Sequence, residues 1–141
     1  MKKRRLNHCP IAFALDIFGD RWSLLILRDV LFKGKRRYKD LMESSEGIAT
    51  NVLAQRLARL EARGILSKEV DQESKKQFIY QPTRKGLDLL PVLLELVRWS
   101  AIHDSETAAP SEFVRRLRAD PAGLSAELLA PFSKIARVKR K

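Results

Sequence analysis

The sequence predicts a mostly α chain that carries one small β-hairpin, an α+β composition dominated by helix. Apolar residues recur at helical spacing through the first 64 residues, and glycines at 19, 34, 47 and 64 divide that stretch into helix-sized pieces. Between Ile65 and Gln81 the period falls from about 3.6 towards 2, which is the pattern of short strands.

The elements follow in order. Pro10 suits a first helical position, "CPIAFALDIFG" runs apolar at helical spacing, and Gly19 is placed to cap that first helix. Asp20 can cap "RWSLLILRDVLF", whose nearly unbroken apolar content makes the second helix central, and Gly34 ends it. The loop "KGKRRYKDLMESSEG" carries Lys33, Lys35, Arg36, Arg37 and Lys39 and contains a short third helix around Tyr38 to Met42. Gly47 then turns the chain into "GIATNVLAQRLARLEARGIL", where Leu53, Leu57 and Leu60 fall on one side of a helix and Asn51, Gln55 and Arg59 on the other. After Gly64, "ILSKEV" and "QFIYQ" form the two strands of a hairpin joined by the polar "DQESKK". A long helix, "TRKGLDLLPVLLELVRWSAIH", starts at Thr83, and Pro91 within it predicts a kink. Pro110, Pro121 and Pro131 divide residues 104–141 into short helical pieces, with order expected over 111–130 and disorder at the basic end.

A chain of 141 residues with 45% hydrophobic content supports one core, so residues 8–103 are read as one domain and 104–141 as an extension. No apolar run reaches the roughly 18 residues of a membrane span and no signal peptide is evident, so a cytoplasmic protein without membrane contact is expected. One cysteine excludes an internal disulfide framework. Enzyme chemistry finds little material: there is no glycine-rich phosphate loop and no paired-histidine helix motif. No cofactor is called for, and His8, Cys9 and His103 are too scattered to argue a metal site.

The net charge of +11 is unevenly placed. Lys2 to Arg5 supply four positives and Lys134 to Lys141 five more, while residues 21–85 carry fifteen Lys or Arg against eight acids. The basic half of the body is therefore the half that holds Leu53, Leu57 and Leu60. Three helices, the third entering a fourth through a glycine turn, and then a hairpin, is the order of a winged helix-turn-helix. On this reading the leucines hold the recognition helix on the core. Thr50, Asn51 and Gln55 at its front present groups that pair with base edges in duplex DNA, while Arg59 and Arg63 lie further back, towards phosphates. A polar helix face is commonly just the wet side of an amphipathic helix. The five basic residues from 33 to 39, among them the DNA-contact candidates Lys35, Arg36 and Arg37, and the pair Lys75 and Lys76 at the hairpin tip, favour the DNA reading, since both groups lie where a winged fold meets the phosphate backbone. A winged-helix module that binds protein is the alternative, and it would be expected to expose large apolar groups where Asn51 and Gln55 stand.

Residues 8–103 resemble the HxlR-type, MarR-like bacterial transcriptional regulators. The resemblance is carried by Cys9-Pro10, Trp22, "RYKDL" from Arg37 to Leu41, Gly47-Ile48, Leu53, Arg56-Leu57, Leu60-Glu61, the set Tyr80, Thr83 and Gly86, and Trp99. It departs in the wing, where that family usually has a proline and this chain reads "QESKKQ", and in having Pro82 in place of leucine before the threonine. The resemblance implies a DNA-binding regulator, with repression by steric exclusion of polymerase at a palindromic operator.

Two further expectations concern assembly and sensing. Leu89, Leu90, Leu93, Leu94, Leu96 and Val97 cannot all face one core, which predicts a homodimer built from Leu93, Leu94 and Val97 with Ile11, Phe13 and Leu15 of the first helix. Cys9 precedes Pro10 at a helix N-terminus, where the macrodipole favours negative charge, beside the cluster Lys2 to Arg5; it is the candidate sensor of oxidants or electrophiles, a role that some members of the resembled family give the matching cysteine. A small aromatic effector near Phe13, Phe18, Trp22 and Trp99 is the other candidate input.

Overall fold

The computed structural model describes residues 8–137. Its first helix, α1 (Pro10–Phe18), opens on proline, and Gly19 closes it by donating its N–H to the Leu15 carbonyl at 2.8 Å. Gly19 remains right-handed, with φ −75°, so this cap does not use the left-handed conformation that the later glycines adopt. Asp20 does cap α2 (Ser23–Leu31): its Oδ2 accepts the N–H groups of Trp22 and Ser23, both at 3.0 Å. Ile26, Leu27, Val30 and Leu31 make α2 the central element of the core.

The short α3 (Tyr38–Met42) leads through Gly47 into α4 (Thr50–Ala62), whose Leu53, Leu57 and Leu60 are at most 1% exposed. Gly34, Gly47 and Gly64 have φ of 65°, 70° and 74°, a region that costs a side chain strain and glycine nothing, and each sits where one helix is turned towards the next element. Strands β1 (Leu66–Val70) and β2 (Phe78–Pro82) pair antiparallel, with Leu66 opposite Pro82 and Val70 opposite Phe78. The segment before α3 also joins the sheet, through a bridge between Arg37 and Ile79 and a bond from Tyr80 N–H to the Arg36 carbonyl at 2.8 Å.

The expected long helix from Thr83 is divided, not kinked. A short α5 (Arg84–Leu87) ends in a turn at Asp88 and Leu89, and α6 (Leu90–His103) begins there with Pro91 in its first turn. Proline has no N–H to give to Leu87 and its ring crowds that carbonyl, so the break falls just before it. Thr83 fixes α5 against the sheet: its Oγ1 accepts the Gly86 N–H at 3.1 Å and donates to the Gly64 carbonyl. A Cβ on Gly86 would lie 2.2 Å from the Ile65 carbonyl oxygen, which is why a glycine is needed there.

Helix α6 has three apolar faces. Leu93 joins the core formed by α2, α4 and the sheet. Leu90 and Leu94 form a second cluster with Leu117 of α7 (Ser111–Ala119) and Leu124 of α8 (Pro121–Leu129), and Val97 packs against it. Val92, Leu96, Trp99 and Ile102 form the third, exposed face. Leu93 and Leu94, expected at a dimer interface, are buried within this chain, and Val97, expected there too, is half-buried against the second cluster. The helical order expected over 111–130 is present as α7 and α8, and a 3-10 turn at Ala130–Phe132 followed by α9 (Ser133–Ala136) returns the chain to the main core, where Phe132 is buried. The disorder expected at the basic end, and the cluster Lys2 to Arg5, concern residues outside those described, except that Lys134 lies within α9 and Arg137 closes it.

Candidate nucleic-acid interface

Helix α4 is held on three sides, and this determines which face stays open. The Tyr38 hydroxyl donates to the Thr50 carbonyl at 2.7 Å, joining α3 to the first turn of α4. Arg56 Nε lies 2.9 Å from Asp20 Oδ2, which ties the middle of α4 to the start of α2. Arg59 donates to the Asp16 carbonyl of α1. Thr50, Asn51 and Gln55 remain exposed, with Ala54 and Ala58 between and beyond them, so the front of the helix is a shallow polar face that a base edge can approach.

The turn between α3 and α4 is fixed by ions. Arg28 of α2 grips both oxygens of Glu46, at 3.1 and 2.5 Å, reaches Ser44 Oγ at 3.2 Å, and places its Nε 2.9 Å from Asp29. The hydrogen bonds from Arg28 hold the Glu46 carboxyl down at about 2, against the opposing effect of burial. Asp29, itself 2% exposed, also faces Lys33 at 3.8 Å and Lys35 at 3.7 Å.

The basic residues marked from the sequence thus divide. Lys35 leans back on Asp29, Arg59 on α1, and Arg37 is engaged with Asp71 and Glu73 of the hairpin. Arg36, Lys75 and Lys76 are exposed and, among the described residues, meet no acid within salt-bridge distance. Lys39, the last of the five basic residues from 33 to 39, shares that condition and lines a cleft of about 370 Å³ with Tyr38, Lys76 and Phe78 between α3 and the hairpin. Asp71 was not legible: it stands in "DQESKK", which reads as an ordinary polar tip. The Glu73 N–H and the Arg37 guanidinium hold its carboxyl below the usual carboxylate range.

Cys9 is exposed at the N-cap of α1, and Ile11, Phe13 and Leu15 of that helix are 70%, 42% and 55% exposed. The four aromatic residues considered for an effector separate: Phe18 and Trp22 pack on the core, while Phe13 and Trp99 lie on exposed faces of α1 and α6. Among the described residues no three His, Cys, Asp or Glu side chains gather where a metal ion could be held, and no helix is long and apolar enough to cross a membrane.

Comparison with known proteins agrees with this geometry. The model of the HxlR-like helix-turn-helix family matches residues 17–107, and the chain belongs to that family. It is 38% identical over 88 residues to the HTH-type transcriptional regulator sll1512 of Synechocystis, a match spanning 62% of this chain and 64% of that one, so under two thirds of that relative is covered. It is 36% identical over 93 residues to the HTH-type transcriptional regulator YodB of Bacillus subtilis, covering 65% of this chain and 82% of YodB. The structure of reduced YodB superposes with a TM-score of 0.58 at 31% identity, covering 72% and 99% of the two chains, and the quinone-bound form with 0.55 at 34%, covering 67% and 99%. The structure of PA1607 gives 0.64 at 36% identity, covering 75% and 72%.

Proposed function

We propose that the protein is a sequence-specific DNA-binding transcriptional regulator that acts as a homodimer on a two-fold related operator and represses by excluding polymerase. The observation that carries this reading is the exposed row Thr50, Asn51 and Gln55 at the front of α4, together with the exposed cations Arg36, Lys39, Lys75 and Lys76 of the α3 segment and the hairpin, where Lys39 and Lys76 line one cleft. Amide side chains suit base edges and exposed cations suit phosphates, so the face holds both kinds of contact in the order a winged helix needs. Selection from random duplex DNA tests it. A palindromic consensus is expected, and no enrichment even at low salt would overturn the reading.

Dimerisation is supported by exposed apolar residues on two helices: on α1, Ile11 and Leu15 on one side and Phe13 on another, and on α6 the face formed by Val92, Leu96, Trp99 and Ile102. Large apolar side chains clustered on a surface mark an interaction site.

A sensing role for Cys9 is favoured by its exposure at the start of α1, beside the apolar surface that a mate would cover, and by the quinone-bound form of the related YodB. Modification there would act on the packing of α1 and, through the Arg59 bond to Asp16, on α4. DNA affinity measured before and after treatment with diamide or a quinone, in wild type and Cys9→Ser, checks it: a change confined to wild type is expected, and unchanged wild-type affinity after complete thiol modification eliminates it.

A further inference from the structure

Asp71 stands at the end of β1 between exposed neighbours, yet is itself 5% exposed. Its backbone N–H donates to the Gln77 carbonyl and its Oδ1 accepts the Glu73 N–H, both at 2.9 Å, while the Gln77 N–H closes on the Ser74 carbonyl at 2.9 Å. The other oxygen, Oδ2, receives Arg37 Nε at 2.9 Å and Nη2 at 2.6 Å. Arg37 lies beside Ile79 in the sheet, one residue from the Arg36 carbonyl that accepts the Tyr80 N–H. One carboxylate therefore closes the tip of the hairpin on itself and also fastens it to the segment that leads into α3.

We propose that Asp71, through Arg37, is the positioning residue that sets the hairpin against α3 and so brings Lys75 and Lys76 onto the DNA backbone. The inference rests on the DNA-binding reading above and gives Arg37 a task inside the protein in place of a phosphate contact. A carboxylate on a face turned towards a polyanion is unfavourable unless its charge is neutralised and its position is useful. Both conditions are met here: Arg37 matches its charge, and the pair anchors the tip end of a two-stranded hairpin whose other ties, the Tyr80 bond to Arg36 and the Thr83 bonds to Gly64 and Ile65, lie nearer its base.

The alternative, in which Arg37 touches a phosphate and Asp71 merely repels DNA, predicts the opposite sign for one substitution. Full-length wild type, Asp71→Asn, Arg37→Gln and the double variant are titrated against the selected operator across a salt series. If wild type binds no DNA, the functional reading itself fails. If it binds, Asp71→Asn is expected to weaken binding about tenfold despite adding net positive charge, and to flatten the salt slope by one to two units, about one per lysine displaced. The double variant should be no weaker than either single one. Binding by Asp71→Asn as tight as wild type, or tighter, overturns the proposal. Amide exchange in the free protein gives a readout without DNA: faster exchange at the Asp71 and Gln77 N–H groups is expected in Arg37→Gln. Unchanged exchange there overturns the proposal even if Asp71→Asn does not fold.

Discussion

Asp20 Oδ2 accepts the first N–H groups of α2 and also lies 2.9 Å from Arg56 Nε in α4. One oxygen thus holds the start of the central helix and sets the rotation of α4.

Asp20→Ala removes both functions. Loss of the cap costs about 1 kcal/mol of folding stability, and the freed Arg56 lets α4 turn, so operator affinity should fall as well. Arg56→Ala keeps the cap and should spare most of the stability while still lowering affinity. Urea unfolding and anisotropy titration of the two variants separate the effects.

Acid sensitivity should trace to the Arg28–Glu46 pair. Glu46 is held down to about 2 in the folded chain, first by its hydrogen bonds to Arg28, from an ordinary value of about 4.5. A depressed carboxyl contributes stability that is fully present above the unfolded value and is lost as pH falls from about 4.5 towards 2. Glu46→Gln should be less stable than wild type at neutral pH, and the difference should shrink across that window in urea melts.

Base and phosphate contacts should respond differently. Asn51→Ala or Gln55→Ala is expected to cost about 1 to 3 kcal/mol on the operator and to relax preference at particular base pairs. Lys76→Ala should weaken all sequences alike and lower the salt slope by about 1. Competition titrations with single base-pair changes distinguish the two patterns; uniform loss in both classes would mean that α4 does not read bases.

The oligomer prediction turns on which α6 residue is changed. Trp99→Glu or Leu96→Glu should shift light scattering from dimer to monomer with little change in the folding of the protomer. Leu94→Ala, in the cluster with Leu117 and Leu124, should cost about 2 to 5 kcal/mol in stability and act on the dimer only through folding.

Much of the fold was legible in the sequence because local rules decide it. Helical spacing placed Leu53, Leu57 and Leu60 inward, Asp20 marked a helix start, and the change of period after Gly64 marked the hairpin. A helix apolar on most sides is different. The apolar pattern of α6 requires more than one neighbour but does not say which face meets which: Leu93 lies in the main core, while Leu94 packs with Leu117 and Leu124. Charges are ambiguous for a related reason: Arg37 and Asp71 are separated by 34 positions, and their pairing depends on how the hairpin folds back. The division of the helix, where a kink was expected at Pro91, follows from the N–H that proline lacks and the crowding of the Leu87 carbonyl by its ring.

Phe132 has a consequence for how the protein comes into being. It belongs to the same core cluster as Leu27 and Leu53, more than seventy residues earlier, and Arg84 reaches the Ala136 carbonyl at 2.7 Å. During synthesis α2 and α4 emerge long before the side chain that completes their packing, so the nascent chain carries an open apolar seam until residue 132 has left the ribosome. A stop codon or frameshift ahead of residue 132 would therefore leave that seam uncovered, and the shortened product would be a target for chaperones and proteases even though α1 to α6 and the hairpin had all been made.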